Sequence, residues 1–317
     1  MTDQGKTAVG TKPQDLEDFH IPFSMRRTPL EMSLEERKIE LALRMFVNIA
    51  DQDYVTARWG FQNGLFHTFY WSGAQAIEKY LKAAILFRGE SVENYGHNLK
   101  SLFARVRHLT GVDDLPKKLK IPKTTARGRE MWNGKSIEHY VDYMNVFGSP
   151  DNRYAFEGLH INGPVLHALD FTCLHLRKTM NNNNVLSENL FRYRNQDQYT
   201  IKKGKKAPAW MIDADFFLER LYLKHFHVGE NKETRKAFRT MNLAFFTDKH
   251  KHAGSFGGYI RNGSALHTYL VWHRNSELPG QSKENEAIID QLRDWVGENM
   301  QLGDRARKAV GLPPKNK

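Results

Sequence analysis

One cysteine, Cys173, in 317 residues excludes an intramolecular disulfide framework. It falls beside Phe171, Leu174 and Leu176, where a thiol reads as a buried, inert small hydrophobe. A reducing compartment fits, and the cytoplasm is the expected location. Long apolar runs are missing as well. No stretch approaches the roughly 20 residues that cross a bilayer, so no membrane association is expected. The opening 23 residues, MTDQGKTAVGTKPQDLEDFHIPF, are polar and broken by Pro13 and Pro22, without a signal-peptide core. Residues 1–32 are expected to form a disordered arm. There is no internal repeat, no Gly-rich phosphate loop, no Ser nucleophile elbow and no coupled acidic dyad. Those absences exclude P-loop hydrolysis, esterase-type acyl transfer and carboxylate-pair catalysis. His225/His227 and His250/His252 make two His-x-His pairs, but without cysteines or a paired acid at zinc spacing. No metal or cofactor is expected.

Acidic residues are also in short supply. There are 36 against 47 basic ones, a formal net charge of +11, and a surplus of that size favours an acidic partner such as nucleic acid. The surplus is concentrated. From Leu115 to Arg129 six basic residues (Lys117, Lys118, Lys120, Lys123, Arg127 and Arg129) occur with no acid between them. Pro116 and Pro122 argue against a long helix there, so a flexible basic loop suited to phosphate contacts is expected. A merely solvated surface loop is the alternative. A second basic run holds Lys202, Lys203, Lys205 and Lys206.

The clearest pattern lies between His67 and Arg105. Phe66, Phe69, Tyr70, Gly73, Ile77, Leu81 and Ala84 recur at three- and four-residue steps, which places them on one helical face. Glu78 and Lys82 stand four apart in the favourable order for an ion pair on the polar side. Gly89 supplies a stop, and Asn98 can cap a second helix from Leu99 to about His108. Upstream, Ser33 and Glu36 form a capping box ahead of a stripe of Ile39, Leu43, Phe46, Ala50 and Tyr54. Downstream, Ser136 is placed to cap a helix with Ile137, Tyr140, Val141, Met144 and Phe147 inward, ended by Gly148. A last helix runs from Pro164 to about Met180.

The order of an aromatic-rich entry, AQAIEKYLKA, a glycine and a Gly-His-Asn-Leu restart resembles the HEPN family of small helical domains. Asn152-Arg153-Tyr154 resembles that family's Arg-Tyr signature ahead of the closing helix. The resemblance covers about half of the chain. It implies a mainly α protein with an antiparallel helical bundle at 33–182. The four asparagines Asn181–Asn184 open a linker expected at 183–210. A smaller α+β C-terminal domain is expected at 211–303, followed by a loose basic tail at 304–317. Within that domain Asp213–Phe226, Arg235–Phe246 and Asn285–Met300 read as helices. Asn262-Gly263 reads as a two-residue hairpin turn.

Many members of the resembled family are metal-independent endoribonucleases that pair an arginine with a nearby histidine, often across a homodimer. The residue types suit the reaction. Histidine exchanges protons near neutrality, and arginine offers fixed donors to phosphate oxygens. The resemblance assigns these roles to Arg153 and His160, although Tyr154 stands where such enzymes usually carry a polar residue. Arg220 with His225 or His227, and Arg261 with His267, have comparable spacing. With 14 histidines in the chain, spacing alone does not choose among them. The expected function is engagement of RNA or a nucleotide, as a homodimeric ribonuclease or as a non-catalytic module that binds nucleic acid, nucleotide or a partner.

Overall fold

The computed structural model describes residues 33–110, 115–123, 128–152, 158–161, 163–181, 208–212, 216–223, 232–246, 260–262, 266, 268–272, 283–300 and 302–314. Helix α1 (Leu34–Ala42) passes through a π turn at Leu43–Val47 into α2 (Asn48–Gln62). The expected stripe persists through that turn, with Leu43, Ala50 and Tyr54 buried and Ile39 and Phe46 packed against the core. Helix α3 (Phe66–Leu86) folds back antiparallel on α2 through a three-residue connection, and Gly60 lets the two backbones close at that turn. Its apolar face is the predicted one. Phe69, Tyr70, Gly73, Ile77, Leu81 and Ala84 are all buried.

Helix α4 (Leu99–Thr110) starts where Asn98 was expected to cap it: the Ser101 amide donates to Asn98 Oδ1 at 3.1 Å. A short α5 (Arg129–Trp132) precedes α6 (Ile137–Phe147), whose Ser136 hydroxyl accepts from the His139 amide at 3.0 Å. Gly148 ends α6, but not by a left-handed turn. Its φ is −101°, and the missing side chain leaves room for Ala74 and the Tyr70 carbonyl of α3. Strand β1 (Leu159–Ile161) leads to α7 (Val165–Asn181), which packs against α2 and α3 and closes the bundle.

The core does not stop at residue 182. Helices α8 (Phe217–Leu223) and α9 (Lys232–Arg239) lie on α2, and Trp210, Phe216, Leu221, Phe238, Phe245 and Phe246 belong to the same apolar cluster as the bundle. The expected divide between 182 and 211 is therefore crossed by a shared core. Aromatic rings carry much of this packing: Tyr54 stacks on Phe245 at 5.4 Å, and Trp210 meets Phe245 edge-on at 5.1 Å. Helix α9 ends at Arg239, short of the expected Phe246, because Met241 takes a left-handed φ of 56°.

Gly263 of the expected hairpin turn lies outside the described residues, but strand β2 (Ile260–Asn262) before it has a distant partner. It pairs antiparallel with β1, Leu159 opposite Asn262, His160 opposite Arg261 and Ile161 opposite Ile260. Thr268–Trp272 beyond it is a π-helical turn rather than a returning strand. An Asn-Gly signal is local, and it carries no information about a partner a hundred residues upstream. The α+β expectation for 211–303 thus finds one short strand among the described residues, and that strand belongs to a sheet shared with the first half.

A second, smaller core joins α10 (Lys283–Asn299) to α11 (Asp304–Ala309) through Val296, Leu302, Ala306, Val310 and Leu312. The expected loose tail is therefore a helix with its own packing. No helix among the described residues is long and apolar enough to cross a membrane.

Candidate functional site

The basic segment is not a free loop where it is described. Leu115, Leu119 and Ile121 are buried, while Lys117, Lys118 and Lys120 between them, and Lys123 after them, are exposed. From Lys118 to Ile121 exposed and buried positions alternate as in an extended strand-like segment, while Lys117 and Lys123 are exposed outside that alternation. The Leu119 amide donates to the Lys135 carbonyl at 2.8 Å, and the Gly134 amide to the Leu119 carbonyl at 3.0 Å. Among the described residues none of the four lysines forms an ion pair. Arg129 has a different place. Its Nε donates to the Ile121 carbonyl at 2.9 Å and its Nη2 to Asn133 Oδ1 at 3.3 Å, so it braces the segment. Arg127 lies outside the described residues.

Two glycines set where this segment sits. Gly128 and Gly163 both have positive φ, 83° and 52°, and their backbones touch: a Cβ on Gly128 would come within 2.7 Å of Gly163 Cα. Only glycine permits both the conformation and the approach. His167, one turn into α7, reaches the Lys120 carbonyl at 3.2 Å, and the Tyr140 hydroxyl donates to the Val165 carbonyl at 3.3 Å. The lysine-bearing segment is thereby held against the start of α7, directly after β1.

Arg153 lies outside the described residues, so its geometry toward His160 does too. His160 sits in β1 opposite Arg261, not on the helix that follows. His225, His227 and His267 also lie outside the described residues.

A second constellation was not anticipated. Asp51, Tyr54 and Arg58 of α2 face Asp170, Cys173 and Arg177 of α7, all buried. Arg177 pairs with Asp51 and with Glu219 of α8; Arg58 pairs with Asp170. The Tyr80 hydroxyl donates to Asp51 at 2.5 Å, the Tyr54 hydroxyl to Asp170 at 2.6 Å, and the Ile212 amide to Glu219 at 2.6 Å. Arg58 also donates to the carbonyls of Ala237 and Thr240 at the end of α9, where the helix dipole is negative. The Asn242 amide donates to Tyr54 Oη at 3.0 Å.

Burial dominates the protonation states here. It pushes the Tyr54 and Tyr80 phenols and the Cys173 thiol well up, so all three stay protonated. It pushes the Glu219 carboxyl up to about 7 against the pull of Arg177, and raises Asp51 in the same way. His167 is lowered by burial, and His175 is lowered to about 4 by burial with Lys178 and Lys120 nearby. The sequence does hold a signal for this network. Asp51 with Arg58, and Asp170 with Arg177, are two Asp-x6-Arg spacings that fall on apolar stripes, where charges need partners.

An antiparallel helical bundle carrying an exposed lysine face beside its closing helix is the class that fold and site define. Within it, residues 43–133 match the family model of the HEPN domain, so the N-terminal half carries a HEPN domain. The match spans α2 to α5 and includes the four exposed lysines; Arg153, His160 and α7 lie beyond it. No curated protein and no solved structure shows a significant match.

Proposed function

We propose that this protein engages RNA through its HEPN half, along the face formed by Lys117, Lys118, Lys120 and Lys123. One observation carries the reading: four exposed lysines without ion-pair partners among the described residues are held on a braced, extended segment at the start of the closing helix. Such a row tracks a phosphate backbone without reading sequence. The net charge of +11 supports it.

In its sharper form the protein is a metal-independent endoribonuclease acting as a homodimer. His160 takes a proton in the course of 2′-oxygen attack on the adjacent phosphorus. The 5′-oxygen leaves with a proton drawn from solvent water, and a 2′,3′-cyclic phosphate remains. Arg153 neutralises charge building on the phosphorane oxygens. The second reading is a non-catalytic RNA-binding module, and the strand placement of His160 favours it.

The deciding experiment incubates RNA with the full chain in EDTA and compares wild type with Arg153→Ala and His160→Ala. Cleavage lost in both variants supports the enzyme. Cleavage that requires magnesium, or survives both substitutions, removes the mechanism. Binding without cleavage leaves the module, and absence of binding at low salt ends both readings.

A further inference from the structure

The buried network is unbalanced. Three carboxyl groups, Asp51, Asp170 and Glu219, meet two guanidinium groups, Arg58 and Arg177, and all five side chains are completely enclosed. The other titratable groups that face them are neutral: Tyr54, Tyr80, Cys173 and His167 for the reasons given above, and Tyr140 because burial pushes its phenol well up. Full ionisation would leave one uncompensated negative charge in a low-dielectric core, which is the condition under which a carboxyl keeps its proton.

Geometry says which carboxyl. Asp170 has Arg58 and the Tyr54 hydroxyl, an arrangement suited to a full negative charge. Arg177 is divided between Asp51 and Glu219, while its Nε donates to the Trp210 carbonyl at 3.2 Å and its guanidinium lies 5.5 Å from the centre of the Trp210 indole. Asp51 Oδ2, Glu219 Oε2 and Asp170 Oδ2 are all buried without a hydrogen bond among the described residues, so the distinction rests on Arg177 being shared by two carboxyls while Arg58 serves Asp170 alone. Glu219 and Trp210 come from the segment after the bundle; Asp51, Tyr80 and Arg177 belong to the bundle itself.

We propose that the segments Pro208–Ile212 and Phe216–Leu223 are latched onto the helical bundle by a single proton held at the Asp51–Arg177–Glu219 site, so that losing the proton loosens the latch. Docking is then a proton-linked equilibrium. A Glu219 that titrates at about 7 when docked and at its ordinary value of 4.5 when released gives the window. Below it both states hold the proton. Between the two values the docked state holds more protons, so docking weakens as pH rises, by up to about tenfold per pH unit for one proton. Above it the effect is complete. Asp51 is raised in the same sense and acts in the same direction.

Hydrogen exchange followed by mass spectrometry on the full chain, from about pH 5 to about pH 8 and corrected for intrinsic rates, reads this directly. Peptides covering 208–223 should lose protection as pH rises while those from α3 keep theirs. Glu219→Gln, which mimics the neutral acid, should hold the segment protected and flat with pH. A flat wild-type profile, an unchanged slope in Glu219→Gln, or an equal slope in α3 would each overturn the latch. Should that variant not fold, carboxyl carbon shifts in the wild type decide. A site among Asp51 and Glu219 titrating near neutrality is expected, and complete ionisation of both by about pH 5 would overturn it.

Discussion

Asp51 of α2 and Arg177 of α7 form an enclosed ion pair, and the same two helices repeat it with the direction of charge reversed, Arg58 of α2 to Asp170 of α7. Each helix contributes one acid and one base seven residues apart. That spacing is close to two turns, so both charges fall on one face, and antiparallel packing brings opposite signs together. Two reciprocal pairs fix the register of α2 against α7 more narrowly than apolar contacts can.

The pairs make a stability prediction with an internal control. Arg58→Met should cost about 3–5 kcal/mol, because it leaves Asp170 enclosed with only the Tyr54 hydroxyl. Adding Asp170→Asn should recover part of that loss by removing the orphaned charge. Urea unfolding of the single and double variants checks this. A double variant less stable than Arg58→Met would show that the pair is not the unit described.

Glycines 148 and 89 separate two kinds of constraint. A Cβ at Gly148 would collide with Ala74 and the Tyr70 carbonyl, both in the packed α3–α6 contact, so Gly148→Ala should cost about 1–3 kcal/mol or more. Gly89 has φ 76° and open space around it, so Gly89→Ala should cost only about 1 kcal/mol. Thermal unfolding ranks the two, and a reversed order would contradict the packing described for α6.

Much of the bundle was legible because its causes are local. The stripe on α3, the Asn98 and Ser136 caps and the start of α7 follow from periodicity and side-chain reach, and all appear in place. Glu78 shows where locality ends. Its pairing with Lys82 was readable and forms at 2.7 Å, but Glu78 is buried rather than on a polar face. It also meets His97 at 3.0 Å, which ties the AQAIEKYLKA helix to the Gly-His-Asn restart. The shared core with α8 and α9, the β1–β2 pairing and the five-charge network all depend on partners far apart in sequence. Periodicity cannot supply those. For the basic segment, composition showed the charge but not the buried Leu115, Leu119 and Ile121 that hold it in place.

Lys117, Lys118, Lys120 and Lys123 should act on RNA binding differently from Arg129. Each lysine neutralised should lower the slope of log K against log salt by about 0.7 for a single strand, with little effect on folding. Arg129→Ala should instead destabilise the segment, because it removes the donors to Ile121 and Asn133. Filter binding over a salt series, read beside melting temperature, distinguishes them. Unchanged slopes in the quadruple lysine variant would move the RNA face elsewhere.

Two groups set opposite pH slopes on stability. His175, packed 4.4 Å from the Phe171 ring, has its pKa lowered to about 4 from 6.5, so the folded state binds fewer protons than the unfolded one in between. Its contribution is whole above about pH 6.5 and declines toward pH 4, a loss of roughly 2 kcal/mol once its partial exposure is allowed for. Glu219, raised from 4.5 to about 7, contributes in the other sense: its stabilisation is whole below 4.5 and is lost as pH rises to 7. The windows overlap, so between about pH 4.5 and 6.5 the two slopes oppose each other and each masks part of the other in the wild type. Single substitutions should unmask each term. His175→Gln should leave a protein that loses stability as pH rises, and Glu219→Gln one that gains it. Urea midpoints at about pH 5, 6 and 7 measure both. Variants that track the wild type at every pH would mean that neither group changes its protonation on folding.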